Sequence, residues 1–132
     1  MKHRIYNKAM YQFDSPEDSL WEATPGNRSI MSHKLSGDQI SDIAIIGGGY
    51  TGLSTAYHLA KKYNITSSVI DAGHIGWGAS GRNGGFCSMG GTAESINTLI
   101  KKYGLEDVKK YYQCQIEAIE LVRKIIIDED ID

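Results

Sequence analysis

The feature that most constrains this sequence is a short apolar run followed at once by closely spaced glycines. Residues 43–46, Ile-Ala-Ile-Ile, form the continuous apolar stretch expected of a parallel strand that is buried on both faces. The next six residues, Gly47 to Gly52, have the spacing G-x-G-x-x-G. From Tyr50 to Tyr63 apolar residues recur at helical spacing, and Asn64 is expected to cap the end. The pattern predicts a strand, a tight glycine turn and a helix.

A second strand is predicted from Thr66 to Ile70, a stretch that is rich in β-branched residues. It ends at Asp71, an acid that lies nineteen positions after Gly52. Strand, helix and strand make a β-α-β unit over residues 42–71, with parallel strands and a right-handed crossover. The expected fold class is therefore α/β, with a Rossmann-like unit of the kind that binds FAD or NAD(P).

The chemistry expected of this unit is dinucleotide binding. Gly47 permits the tight turn, Gly49 lets the backbone approach a diphosphate, and Gly52 lets the helix pack close to the sheet. Backbone N–H groups at the helix start attract the diphosphate, and Asp71 accepts hydrogen bonds from a ribose while disfavouring the 2′-phosphate of NADP. These residues do not separate FAD from NAD. A glycine turn without a ligand is the simpler alternative.

The segment after Asp71 is also rich in glycine, with eight in the 20 residues from Gly73 to Thr92. This composition predicts a shaped loop rather than a regular element. Two helices are expected after it, over residues 94–103, ended by Gly104, and from Leu105 to about Ile127. The second carries an apolar stripe that predicts core packing: Leu105, Val108, Tyr112, Ile116, Ile119, Val122 and Ile126.

The run from Gly76 to Gly85, Gly-Trp-Gly-Ala-Ser-Gly-Arg-Asn-Gly-Gly, resembles the second motif of the D-amino-acid-oxidase-like (DAO) family of FAD-dependent amine and amino-acid oxidoreductases. In that family the run follows the ribose-binding acid and wraps the flavin end of the cofactor. Trp21-Glu22, Pro25 and residues 35–38 also resemble the arm of the γ-glutamylputrescine oxidoreductase-like subgroup. Asp71 departs from the family pattern, in which glutamate is commoner, and this suggests fewer direct bonds to the ribose.

The resemblance implies FAD as the cofactor and assigns residues of both glycine segments to it. Ser80 is expected to donate to a phosphate, and Arg82 either supplies a positive charge or is a surface cation. Asn83 either bonds the flavin or holds the turn. The residues assigned to cofactor binding are Gly47, Gly49, Tyr50, Thr51, Gly52, Asp71, Ala72, Ser80, Gly81, Arg82, Asn83, Gly84 and Gly85.

The reaction implied by the resemblance oxidises a C–N bond of an amine or amino acid to an imine while the flavin is reduced. Electrons then pass to oxygen or another acceptor. No catalytic residue is assigned, because substrate contacts are expected downstream of this chain. Two alternatives stay open: a fragment of an NAD-dependent dehydrogenase, and a non-catalytic truncated product.

The expected organisation is an irregular N-terminal arm, residues 1–40, followed by the N-terminal portion of an FAD-binding domain, residues 41–132. In that portion the β-α-β unit (42–71) precedes the flavin loop (73–92) and the helices (94–127). The arm is either anchored through Leu20 and Trp21 or is a loosely ordered extension. Family members are much longer, so the fold is expected to be incomplete, the substrate domain absent and the fragment alone inactive.

Charge and hydropathy exclude several other classes. Fourteen Lys and Arg residues against 16 Asp and Glu residues argue against a nucleic-acid partner. No apolar run approaches the roughly 20 residues that span a bilayer, and the N-terminus lacks the core of a signal peptide. A cytoplasmic location is therefore expected. Cys87 and Cys114 form no CxxC pair and are predicted to be free thiols, with Cys87 buried, and no metal site is expected.

Overall fold

A computed structural model describes residues 5, 7–13, 19–24 and 33–131 of the chain. It divides the chain into two compact units, Met1–Gly84 and Gly85–Asp132. Within the described residues, no helix is both long and apolar enough to cross a membrane.

The first unit is built on a β-α-β arrangement. Strand β1 (Ala44–Ile46) pairs in parallel with β2 (Ser68–Ile70), and Ile45 lies opposite Val69. Helix α2 (Tyr50–Tyr63) connects the strands and packs against both. The predicted parallel unit is confirmed, although each strand is shorter than the apolar pattern suggested because only three residues of each have a partner in register.

Helix α2 has the predicted bounds. It begins after Gly49, which has no side chain to cap the first turn, and it ends at Asn64 in the left-handed conformation with φ of 53°. The Asn64 N–H donates to the carbonyls of Leu59 and Ala60, so the last turn is closed as the sequence predicted. Lys61 and Lys62 lie in that last turn, where positive charge is favourable.

Part of the N-terminal arm is described, and it belongs to the first unit. It contains a 3₁₀ turn (Lys8–Tyr11) and the single helical turn α1 (Leu20–Ala23). The Trp21 indole donates to the carbonyl of Asn83, which confirms Trp21 as an anchor. Leu20, by contrast, is 69% exposed. Pro25, predicted to belong to a family-like arm, lies outside the described residues.

The second unit contains two helices, α3 (Ile96–Tyr103) and α4 (Leu105–Asp128). Ser95 caps α3 by accepting a hydrogen bond from the N–H of Thr98, and Gly104 joins the two helices with φ of 85°. The prediction that the α4 stripe packs in a core is wrong for most of its length. Val108 is buried, whereas four stripe positions are 42–51% exposed: Leu105, Ile116, Val122 and Ile126. Eight-residue α3 is too short to cover 24-residue α4.

Candidate functional site

The first glycine turn connects the end of β1 directly to the start of α2. Gly47 has φ of 109°, a conformation that favours glycine, and its N–H donates to the carbonyl of Ile70 at 2.7 Å. Gly52 is buried in the first helical turn, and a Cβ there would overlap the carbonyl oxygen of Gly47. The structure therefore favours glycine at residue 47 because of its positive φ, and at residue 52 because the helix start packs closely against the turn.

Asp71 follows β2 and accepts hydrogen bonds with both of its carboxylate oxygens. Oδ2 accepts the N–H of Gly48 at 2.6 Å, and Oδ1 accepts the N–H of Gly73 at 2.8 Å. The carboxylate is half-buried at the carboxyl end of the parallel pair, beside the glycine turn. Each oxygen retains a second lone pair, so the group can still accept hydrogen bonds from a ligand hydroxyl.

The side chain of Ser80, a residue of the segment after Asp71, contacts the start of helix α2. Its hydroxyl oxygen accepts the N–H of Tyr50 at 2.9 Å, which gives the helix the side-chain cap that Gly49 cannot provide. A Cβ on Gly49 would come within 2.8 Å of the same hydroxyl oxygen. The hydroxyl proton of Ser80 is not used by this bond, so it can be donated to an anion at the helix N-terminus.

The second glycine loop, residues 76–83, repeats features of the first glycine turn, residues 47–52. Gly76, Gly78 and Gly81 have the same spacing as Gly47, Gly49 and Gly52. Gly76 also has positive φ, at 77°, and a Cβ on Gly81 would overlap the carbonyl oxygen of Gly76. The turn leads into a short 3₁₀ helix (Ala79–Gly81) instead of a long helix.

A backbone hydrogen bond joins the two turns. The N–H of Gly76 donates to the carbonyl of Gly48 at 3.0 Å. Together with the Ser80 to Tyr50 contact, this bond holds the second loop beside the start of α2.

Arg82 and Asn83 end the second turn in different ways. The guanidinium carbon of Arg82 lies 4.3 Å from the ring centroid of Trp77, a cation–π distance, and the residue is half-buried. Asn83 Nδ2 donates to the carbonyls of Ala79 and Ser80, at 3.1 and 2.8 Å, and lies 3.4 Å from the Tyr50 hydroxyl. Asn83 therefore holds the turn, which is one of the two roles considered for it.

The remaining predicted site residues lie in or next to the two glycine turns, or next to Asp71, in the sequence. Thr51 is exposed in the first turn of α2, and Ala72 is exposed directly after Asp71. Gly84 is exposed at the end of the first unit, whereas Gly85 belongs to the second unit and has φ of 70°. Cys87 and Cys114 are free thiols, but both are exposed, so the predicted burial of Cys87 is wrong. The described residues contain no cluster of three metal-ligating side chains.

Two residues of this region were missed by the sequence reasoning. Gly48 supplies the N–H that donates to the Asp71 carboxylate, and Trp77 is a buried aromatic residue, 6% exposed, whose ring lies against Arg82. The repeated G-x-G-x-x-G spacing could have identified both, because each occupies the second position of its turn. No comparable signal marks Phe13, whose ring lies 4.9 Å from that of Trp77.

The donors and acceptors of this region suit a dinucleotide. The first N–H groups of α2 have no carbonyl partner within the helix, and the missing side chain of Gly49 leaves room there for the Ser80 hydroxyl. A serine hydroxyl and an arginine from the second loop, and a carboxylate at the end of β2, complete a set that matches phosphate and ribose. The Ser80 hydroxyl, which lies against Gly49 at the start of α2, is the observation that best fits a diphosphate.

Sequence comparisons give three informative relatives. The chain is 34% identical over 114 residues to "Gamma-glutamylputrescine oxidoreductase" of Escherichia coli, covering 86% of this chain and 26% of that protein. It is 48% identical over 71 residues to "Probable oxidoreductase OrdL" of Rhizobium meliloti, covering 54% and 16%. It is 51% identical over 43 residues to "Sarcosine oxidase subunit beta" of the same organism, covering 32% and 10%.

These matches concern a limited part of each relative, because the chain spans at most 26% of the length of any of the three. No solved structure matches the chain significantly. Residues 42–132, which include both glycine turns and Asp71, match the family described as "DAO: FAD dependent oxidoreductase". The cofactor of that family is FAD, and its fold is the Rossmann-like α/β type of which the β-α-β unit forms a part. The chain belongs to the DAO family of FAD-dependent oxidoreductases.

Proposed function

We propose that this chain forms the FAD-binding N-terminal part of an oxidoreductase that oxidises a C–N bond of an amine or amino acid to an imine. Residues 41–132 are the part of the FAD-binding domain present in it. The contact between Ser80 and the N–H of Tyr50 carries the proposal, because it joins the second glycine loop to the helix start where a diphosphate binds. Two of the relatives have names that refer to oxidation of amine-containing compounds, which supports this substrate class.

In the proposed site the diphosphate lies against Gly49 and the first turn of α2. The N–H groups of that turn and the Ser80 hydroxyl donate to phosphate oxygens, and Arg82 contributes positive charge. Asp71 accepts from the adenosine ribose while Gly48 and Gly73 hold its carboxylate in place. FAD supplies the redox chemistry when bound, accepting the two electrons removed from substrate.

The other residues assigned to the cofactor have supporting roles in this proposal. Gly52 and Gly81 keep each helix start close to its turn, and Asn83 fixes the shape of the second turn. Thr51, Ala72, Gly84 and Gly85 are proposed to line the path of the cofactor through their backbone atoms. The small-molecule substrate, the electron acceptor, oxygen or another, and a cytoplasmic location remain predictions, and no residue of this chain is assigned to catalysis.

The test compares FAD binding by the full-length oxidoreductase, of which this chain is proposed to be a part, with FAD binding by its Gly49→Val variant. A valine side chain at this position meets the Ser80 hydroxyl oxygen, which lies 2.8 Å from its Cβ, and fills the space proposed for the diphosphate. We expect the wild-type protein to purify with flavin absorbance and the variant to lose it, while both give similar far-ultraviolet circular dichroism.

The matched control is Ser54→Val, which places the same side chain at an exposed position of the same helix. It should retain FAD as the wild type does. Flavin occupancy that is equal in wild type and Gly49→Val would show that the glycine turn has no part in cofactor binding. Binding of NAD in place of FAD, measured by calorimetry, would select the dehydrogenase alternative.

A further inference from the structure

One contact between the N-terminal arm and the second glycine loop is an aromatic pair. The Phe13 ring lies 4.9 Å from the Trp77 ring, centroid to centroid, with an interplanar angle of 60°. Trp77 is 6% exposed, and Phe13 is half-buried. The guanidinium of Arg82 also lies over the Trp77 ring. The Trp77 ring is therefore in contact with both the arm and the arginine proposed to meet the cofactor.

A second contact is made farther along the same loop by a different kind of bond. Trp21 Nε1 donates to the carbonyl oxygen of Asn83 at 2.7 Å. The Asn83 side chain donates in turn to the carbonyls of Ala79 and Ser80. The Trp21 indole thus holds the residue that fixes the 3₁₀ turn carrying the Ser80 hydroxyl.

These two contacts lie on either side of the polar side chains proposed to reach phosphate. Phe13 contacts the loop at residue 77, and Trp21 contacts it at residue 83, with Ser80 and Arg82 between them. A flexible glycine-rich loop loses conformational entropy when it orders around a ligand. Contacts that hold the loop before the ligand arrives reduce that loss.

We propose that Phe13 and Trp21 are positioning residues that clamp the second glycine loop, so that order in the arm and affinity for FAD are coupled. The inference rests on the proposed function, since it takes this loop to be part of the FAD site. Coupling is reciprocal: if the arm raises the affinity for FAD, then FAD must stabilise the docked arm by the same factor. Both directions of this coupling can be measured without turnover.

The experiment uses two variants of the intact protein, Trp21→Phe and Phe13→Ala. Trp21→Phe removes the indole N–H and keeps most of the aromatic surface, and Phe13→Ala removes the ring pair. Each is expected to raise the Kd for FAD by about three- to tenfold, measured by quenching of flavin fluorescence. Phe13→Tyr should restore the wild-type Kd because it retains the ring.

The control is Leu20→Ala, in the same helical turn as Trp21, since Leu20 is 69% exposed; it should leave the Kd unchanged. Hydrogen exchange of the wild-type peptide containing residues 19–24 should slow when FAD is added, and the slowing should be smaller in Trp21→Phe.

If both arm variants keep the wild-type Kd while the wild type still binds FAD, the positioning role of Phe13 and Trp21 is refuted and the proposed function is not. A lower melting temperature without a change in Kd would refute this role in the same way. Wild-type protein that binds no FAD would overturn the proposed function as well.

Discussion

Ser80 is expected to serve helix α2 and the cofactor at the same time, and Ser80→Ala tests both roles. The hydroxyl oxygen accepts the N–H of Tyr50 at 2.9 Å, in place of the cap that Gly49 lacks. Loss of a helix cap costs about 1 kcal/mol of stability, within a range of roughly 0.5–2 kcal/mol. Loss of a hydrogen bond to a charged phosphate costs about 1.5–3 kcal/mol of binding free energy, which corresponds to a roughly 10- to 150-fold higher Kd for FAD.

The assay measures each quantity separately. Denaturant unfolding of the cofactor-free protein measures the free energy of unfolding and so the contribution of the helix cap. Quenching of flavin fluorescence measures the Kd for FAD. Ser95→Ala is the matched control, because Ser95 caps α3 in the second unit by accepting the Thr98 N–H at 3.2 Å. It should cost a similar amount of stability, about 1 kcal/mol, and leave the Kd unchanged. A Kd for Ser80→Ala that stays within twofold of wild type would refute the argument that this hydroxyl donates to the cofactor.

Two further substitutions separate folding from binding. Gly52→Ala places a Cβ against the backbone carbonyl of Gly47, so it should destabilise the cofactor-free protein; equal melting temperatures for variant and wild type would contradict the close packing of helix and turn. Asp71→Asn puts an amide donor where one carboxylate oxygen accepts from Gly48 or Gly73, so it should raise the Kd for FAD about tenfold or more and lower stability by about 1–3 kcal/mol. Calorimetric titration with FAD and thermal melts would detect both effects, and no change in either would exclude Asp71 from the site.

The parts of the fold that the sequence predicted best depend on local signals. Helix α2 has the expected bounds because the glycine turn precedes it and Asn64 adopts the left-handed cap that ends it. The parallel pairing followed from two apolar strands joined by one helix. These signals lie within a few residues of the elements they specify.

The parts that could not be predicted depend on contacts between distant segments. Nothing near Ser80 in the sequence indicates that its hydroxyl caps a helix thirty residues earlier. The Trp21 contact with Asn83 spans sixty-two residues, and only the anchoring role of Trp21 was anticipated. The prediction of core packing for the α4 stripe was wrong for a related reason. The periodicity identifies an apolar face of the helix, but it contains no information about which element covers that face.

The two glycine turns share their spacing but differ in the element that follows, and this difference gives a reason for the role proposed for Arg82. The first turn leads into the 14-residue helix α2, whose aligned peptide dipoles place partial positive charge at its start. The second leads into a 3₁₀ helix of three residues, too short to produce a comparable field. An anion that meets both turns therefore finds positive potential from a helix terminus at one and needs a side-chain cation at the other. Arg82 follows that short helix and lies against the Trp77 ring, and we propose that it is this cation.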